Sequence, residues 1–394
     1  MASRGCASQA HEKGPGCKSR PLVVYNAAVL RGQWSGVEKS VCEFARALAF
    51  YPGRPFDFKI LLPGGVSADS FPEDSVVRLP SRARGRLGRI LYELFEMPSL
   101  ARRLKADLFI SPAYVTPPHL PCPSLLVVYD LHVYTHPRFC KRLNILHYRL
   151  RMGSSIRSAA AIAVPTDHVR KALVSLFPGV VEKTAIVPLG VSEDYFGSME
   201  EEERIRFRRK YHLPRRYLAM AGAFSPRKNL AGALEAWRLL RGEAPDLGLV
   251  IVGKGRGAAC LPDGVVSLGY LAEEEMPMLY GCAEALVYPS FDEGFGLPVA
   301  EAMACGCPVV TSPVPAREFA DGAAVFCDVH SPASIAASVR EVVSGPWGVA
   351  EGRSARIAAG RKQAEALRWS HAAERMVSSA CRALGMDKKK APSR

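Results

Sequence analysis

The sequence predicts an α/β chain of two doubly wound parallel sheets in tandem, with their carboxyl edges facing a central cleft. Three observations carry this prediction. From Pro21 onward, short β-branched or apolar runs alternate with longer helical segments, the pattern of a doubly wound sheet. The alternation stops in the polar stretch from Gly190 to Glu201 and restarts at Tyr217. Near the end of the second set, Ser290 to Val310 (SFDEGFGLPVAEAMACGCPVV) passes from a strand through a glycine-rich turn into a short helix, with Glu293 and Glu301 placed around that turn. Two Rossmann-like units in tandem satisfy all three.

In the first half the expected strands are PLVVYN, FDFKILLP, DLFIS, SLLVVYD, AIAVP and TAIVPLG, each a short apolar run closed by a turn. In the second half they are YLAMAGA, LGLVIVG, VVSLG, EALVYPS, CPVVTS and AAVFC. The polar break sets the domain limits at 20–195 and 196–370, leaving 371–394 as the end of a final helix and a basic tail. Residues 1–19 lack an apolar core and either period, and are expected to be a disordered extension. A length of 394 residues suits two domains, given a prior of roughly 150 residues per domain.

Composition narrows the function. A chain with 48% hydrophobic and 23% charged residues can build large cores and is neither disordered nor fibrous. The net charge is +14, and 26 Lys and Arg against 16 Asp and Glu lie before Glu201, so the first half attracts anions most. Nucleic acid is not the expected partner, because the arginines do not interleave with aromatics and no helix-turn-helix or zinc-finger spacing occurs. No run approaches the ~18 apolar residues of a membrane span, and the opening segment has no secretory signal. The 11 cysteines are scattered without C-x-x-C pairs, which suits the reduced thiols of a cytoplasmic protein. Cys305 and Cys307 read as small core residues, and His132 with His136 has helical ligand spacing but no third partner nearby, so no metal site is expected.

In the segment from Ser290 to Val310, Pro298 suits the first position of a helix, and Gly306 followed by Pro308 suits its end. The free N–H groups and positive dipole end of that helix point over the turn, where an anion is the natural occupant beside Phe295, Gly296 and Leu297. Glu301 stands among Val299, Ala300, Ala302 and Met303, an uncomfortable core residue unless it faces a cleft. A solvated surface turn is the plainer alternative. Upstream, AGAFSPRKNLAGALEAW (Ala221 to Trp237) sets Arg227 and Lys228 at a strand-to-helix switch, where they and the helix start after Asn229 can neutralise a diphosphate.

The string around Glu293 and Glu301 resembles the E-x7-E signature of glycosyltransferase family 4, retaining nucleotide-sugar-dependent enzymes with the GT-B fold. GAFSPRKNL resembles the same family's G-x4-R-K-N-L element, and the resemblance is strong over Met220 to Val329 and looser in the first domain. It implies that Arg227 and Lys228 contact the donor diphosphate, Glu293 the donor sugar hydroxyls and Glu301 the ribose hydroxyls. Gly253, Lys254 and Tyr270 would border the nucleotide base, and Gly36 would meet the donor from the first domain. No metal or other cofactor is expected, since the cations and the helix end already supply positive charge. Where the family usually reads His-Asp, this chain has Tyr129-Asp130; this leaves Asp130, or else His132, as the acceptor-side catalytic group, with a capping Asp as the alternative.

The function expected from this resemblance is transfer of a hexosyl group from a nucleoside diphosphate sugar to a hydroxyl of a glycan or lipid-linked acceptor, with retention, in cell-surface polysaccharide or glycolipid synthesis. A mannosyl donor is favoured because YDLHVYTHP resembles that subgroup's loop. A nucleotide-sugar epimerase on the same fold and a non-catalytic nucleotide-binding protein are the alternatives. The basic amphipathic stretch from Arg82 to Lys105 either packs on the sheet with its charges solvated or lies on an anionic bilayer. The expected location is the cytoplasm, with reversible docking on the inner face of the cell membrane.

Overall fold

The computed structural model describes residues 20–31, 35–253, 255, 261–343 and 352–386. In the first domain the strands are β1 (Leu22–Asn26), β2 (Asp57–Pro63), β3 (Val76–Leu79), β4 (Leu108–Ser111), β5 (Ser124–Val127), β6 (Ala161–Val164) and β7 (Thr184–Ile186). Its helices are α1 (Gly36–Phe50), α2 (Gly85–Phe95), α3 (Met97–Leu104), α4 (His132–Thr135), α5 (Arg142–Ser158) and α6 (Asp167–Leu176). The sheet is parallel throughout, in the order β3-β2-β1-β4-β5-β6-β7.

The second domain contains β8 (Arg216–Ala221), β9 (Leu247–Val252), β10 (Val265–Ser267), β11 (Ala285–Tyr288), β12 (Val309–Thr311) and β13 (Val325–Phe326). These pair in parallel in the order β10-β9-β8-β11-β12-β13. The helices of this half are α7 (Glu201–Lys210), α8 (Leu230–Arg241), α9 (Met276–Gly281), α10 (Leu297–Ala304), α11 (Arg317–Ala320), α12 (Pro332–Val342), α13 (Arg353–Glu365) and α14 (Trp369–Ala383). The doubly wound α/β architecture expected from the alternation is present in both halves.

The central strands read as continuous apolar runs because helices cover both faces of a parallel sheet; every residue of β4, β9 and β11 is buried. The one strand not anticipated is β3. It sits at the sheet edge, pairs only with β2, is four residues long and carries the exposed Arg78, so its apolar signal is weak. The stretch from Arg82 to Lys105 folds as two helices whose inner face packs Tyr92, Met97, Leu100 and Ala101 onto Val24, Leu61 and Phe109. Its outer face leaves Leu87, Leu91 and Phe95 exposed.

Helix α14 returns to the first domain. Trp369 meets Phe44 of α1 edge to face at 5.0 Å between ring centroids, and Val191 N–H donates to Leu367 O at 2.6 Å. A Cβ at Gly190 would lie 2.5 Å from Trp369, so the chain can pass under this helix only with glycine there. The strand order reverses beside β1 and β4 in one sheet and beside β8 and β11 in the other, and the loops leaving the carboxyl ends of these strands meet in the cleft.

Candidate active site

The loop after β11 carries Asp292, Glu293, Gly294 and Phe295 into α10, which begins at Leu297 with Gly296 as its cap at φ +99°. Pro298 therefore occupies the second helical position, one later than expected. No side chain caps this helix start, but Pro298 carries no N–H and Val299 N–H donates to Gly296 O at 2.9 Å, which leaves Leu297 N–H at the cleft; at α8 the Asn229 Oδ1 accepts from Gly232 N at 3.2 Å. Asn229 thus satisfies part of the α8 start that the sequence suggested for the diphosphate.

Glu293 is buried and gathers both neighbouring cations. Lys228 Nζ donates to Glu293 Oε1 at 2.7 Å, Arg227 pairs with Oε2, and Arg227 also donates to Asp292 O at 3.0 Å. Burial works against the Glu293 charge, but Lys228 and Arg227 hold its carboxyl below the ordinary range. Lys228 lies against Tyr288, and burial brings its ammonium down to about 8.

The first domain supplies the opposite wall. Lys39, on the buried face of α1, donates to Glu301 Oε1 of α10 at 2.5 Å, pairs with Glu273 and reaches Tyr195 OH at 3.1 Å. Tyr280 OH donates to the other Glu301 oxygen at 3.2 Å. Burial opposes the Lys39 charge, yet Glu301 and Glu273 raise its pKa well above that of a free lysine, so it stays a cation.

At the end of β5, Asp130 accepts from Tyr114 OH at 2.6 Å, and His132 bridges Asp130 (Nδ1, 3.1 Å) to Asp292 (Nε2, 3.0 Å). Burial opposes a charged His132 ring, but its hydrogen bonds to Asp130 and Asp292 outweigh that and raise its pKa to about 9. Burial likewise opposes ionised Asp130, and the contacts from His132 and Tyr114 bring it down to about 2. His132 is consequently an imidazolium at neutral pH, a donor and local positive charge rather than a base. His136 and His168 also reach Asp292, at 3.2 and 2.9 Å, giving the pair of histidines a third member that only folding brings near. Among the described residues no group of His, Cys, Asp or Glu is arranged to hold a metal ion.

Lys39, Glu273, Tyr280 and Glu301 on one side and Asp130, His132, Lys228 and Glu293 on the other border a cavity of 630 Å³ between the domains. It brings together Gly36, Asp130, His132, Arg227, Lys228, Gly253, Tyr270, Glu293, Phe295, Gly296, Leu297 and Glu301, all anticipated from the sequence. Lys254 lies outside the described residues. Gly36 opens α1 behind a Ser35–Glu38 capping box, and Phe295 is buried with its ring stacked on Phe319 at 4.7 Å between centroids. Gly294 also lines this cavity, and a Cβ there would lie 1.9 Å from Tyr129 O of the first domain. Sequence reasoning missed Lys39, Glu273, Tyr195 and Tyr280; the available hint was a lysine on the apolar face of α1.

A second cavity of 630 Å³ adjoins the first and shares Asp130, His132, Gly222, Arg227 and Gly253 with it. Its remaining walls include Arg86 of α2, Lys141 beside α5, and Asn144 and Tyr148 of α5.

Residues 201–363 match the family model of the glycosyl transferases group 1. The second domain is a group 1 glycosyltransferase domain. The enzyme class is accordingly glycosyltransferase, and relatives agree. The chain is 28% identical over 280 residues to O-antigen chain mannosyltransferase B of Escherichia coli, covering 66% of this chain and 71% of that one. It is 30% identical over 204 residues to the GDP-mannose-dependent alpha-(1-6)-phosphatidylinositol dimannoside mannosyltransferase of Mycobacterium tuberculosis, where it spans about half of the relative (51%) and half of itself (50%). Among solved structures, Anabaena HepE in complex with UDP and glucose superposes on this glycosyltransferase with a TM-score of 0.70 over 91% of this chain and 99% of HepE. At 15% identity that likeness speaks for the fold, which is GT-B.

Proposed function

We propose that this glycosyltransferase moves a hexosyl group from a nucleoside diphosphate sugar to a hydroxyl of a glycan or lipid-linked acceptor with retention at the anomeric carbon, in cell-surface polysaccharide or glycolipid synthesis. The observation that supports it most is the meeting of Glu293, Arg227, Lys228 and the start of α10 at Gly296 and Leu297 around one cavity at both strand-order reversals. A diphosphate placed there competes with Glu293 for the two cations. Once it takes them, the freed carboxylate can accept from sugar hydroxyls, and Glu301 can do the same for the ribose. Departure of the diphosphate leaves an oxocarbenium-like centre, and the charge developing on the leaving oxygens is stabilised by Arg227, Lys228 and the Leu297 N–H at the start of α10. The leaving phosphate then receives the acceptor proton on the same face. His132, held protonated with both ring N–H groups on Asp130 and Asp292, contributes positive charge rather than a basic site.

A mannosyl donor is the preferred reading because the relatives above are named as mannosyltransferases. No divalent metal is needed in this scheme, so activity should persist in a chelator; strict dependence on Mg or Mn would contradict it. The decisive experiment is a transfer assay with a panel of guanosine, uridine and adenosine diphosphate sugars. Turnover with GDP-mannose in preference to the others supports the reading, and absence of transfer or hydrolysis with every donor would overturn it.

A further inference from the structure

Six of the fourteen large apolar side chains that are strongly exposed among the described residues lie on two helices, α2 and α5. Leu87, Leu91 and Phe95 recur every four residues along α2, and Leu143, Leu146 and Leu150 fall at helical spacing along α5, so each set forms one stripe. The helices are neighbours: buried Glu93 of α2 feels Arg151 of α5, and both helices wall the second cavity. A monomer rarely leaves so much apolar surface in one region without a use for it.

The charges around the stripes indicate what covers them. Residues 131–158 contain six Lys and Arg and no acid, and residues 82–105 contain seven against two glutamates. Of those two, Glu93 is buried and Glu96 is held by Arg82 at 2.8 Å, so neither offsets the exposed cations Arg84, Arg86, Lys141, Arg142 and Arg149. A second copy of the same face would bring these cations against one another. An anionic bilayer offers both a partner for the cations and a medium for the leucines.

We propose that the outer face of α2 and α5 docks on an anionic lipid surface, its leucines inserting and its arginines and lysines resting among the headgroups. Because Arg86, Asn144 and Tyr148 on these helices wall the cavity that runs on to Arg227, docking sets that cavity beside the bilayer, where an acceptor carried in the lipid reaches it. Only this consequence for the acceptor rests on the transfer reading above; the docking itself stands on the surface.

The test is flotation of the full chain with phosphatidylcholine vesicles, with and without phosphatidylglycerol, at low and high salt. Wild type should float with the anionic vesicles, and salt should weaken this as the Debye length falls to about 10 Å at 0.1 M and below. Leu91→Ser/Leu146→Ser/Leu150→Ser should lose about tenfold or more in partitioning. Arg84→Gln/Arg142→Gln should lower the low-salt binding. Thermal shift by free GDP or UDP should match wild type in both variants, which separates failure of docking from failure of the donor site. Wild type that stays soluble with anionic vesicles, or leucine and arginine variants that float like wild type, would overturn the proposal. So would a concentration-dependent dimer abolished by the serine substitutions without vesicle binding, which would assign the face to a second copy.

Discussion

Lys39 of the first domain and Glu301 of the second are 262 positions apart in sequence and 2.5 Å apart in space, both buried, at the wall of the interdomain cavity. This pair ties α1 to α10 and sets the distance across the cleft that a donor must span. Glu273 and Tyr280 complete its hydrogen bonding, so the two charges are not left to each other alone.

Lys39→Met should therefore leave the buried Glu301 facing the half-buried Glu273 with no cation between them. Breaking a buried pair by removing one partner costs about 3 kcal/mol or more, because the remaining charge is uncompensated. Lys39→Met/Glu301→Gln should recover part of that loss. Urea unfolding of the single and double variants measures both effects, and an unchanged midpoint for Lys39→Met would mean the pair contributes nothing.

Glu293→Gln should lower transfer at least tenfold, about 1.4 kcal/mol of transition-state stabilisation. Arg227→Ala and Lys228→Ala should slow transfer and also weaken binding of the free nucleoside diphosphate, since that ligand carries the charge they meet. Titration calorimetry with GDP and UDP distinguishes the two roles. Unchanged diphosphate affinity in the double variant would place the clamp elsewhere.

Stability should carry a pH signature from His132. Its folded pKa is raised, to about 9 from 6.5, so its contribution is complete below about pH 6.5 and disappears as pH rises through 9. That contribution is at most roughly 3 kcal/mol, since a tenfold change in proton affinity corresponds to ~1.4 kcal/mol. The stability difference between wild type and His132→Gln should shrink across that window. A difference that stays constant from pH 6 to about pH 9.5 would show that the imidazolium bridge from Asp130 to Asp292 adds no pH-dependent stability.

Gly294→Ala tests the contact between domains. The added methyl would meet Tyr129 O at 1.9 Å, a backbone atom that cannot swing aside, while Thr166 Oγ1 holds the Gly294 carbonyl at 2.8 Å. Overpacking of this kind costs typically ~1–3 kcal/mol. Thermal unfolding should record that loss, and small-angle scattering should report a wider cleft. A variant with wild-type melting and dimensions would show that the domains adjust freely.

Local chemistry made much of this protein legible from its sequence. Apolar runs bounded by turn residues identified every strand except β3, whose edge position and exposed Arg78 weaken the pattern. The glycines at 294, 296 and 306 marked α10, and the placement of Glu293, Glu301, Arg227 and Lys228 around it singled out the cavity. Such signals survive in a linear string because strand period, helix capping and turn conformation depend on residues a few positions apart. Docking of the two domains decided the pairing of Lys39 with Glu301, the three histidines on Asp292 and the close approach of Gly294 to Tyr129, and packing within the first domain set the leucine stripes of α2 and α5 side by side. These contacts join residues tens to hundreds of positions apart, and their partners are selected by how two packed sheets and their helices fit together, which no local period encodes.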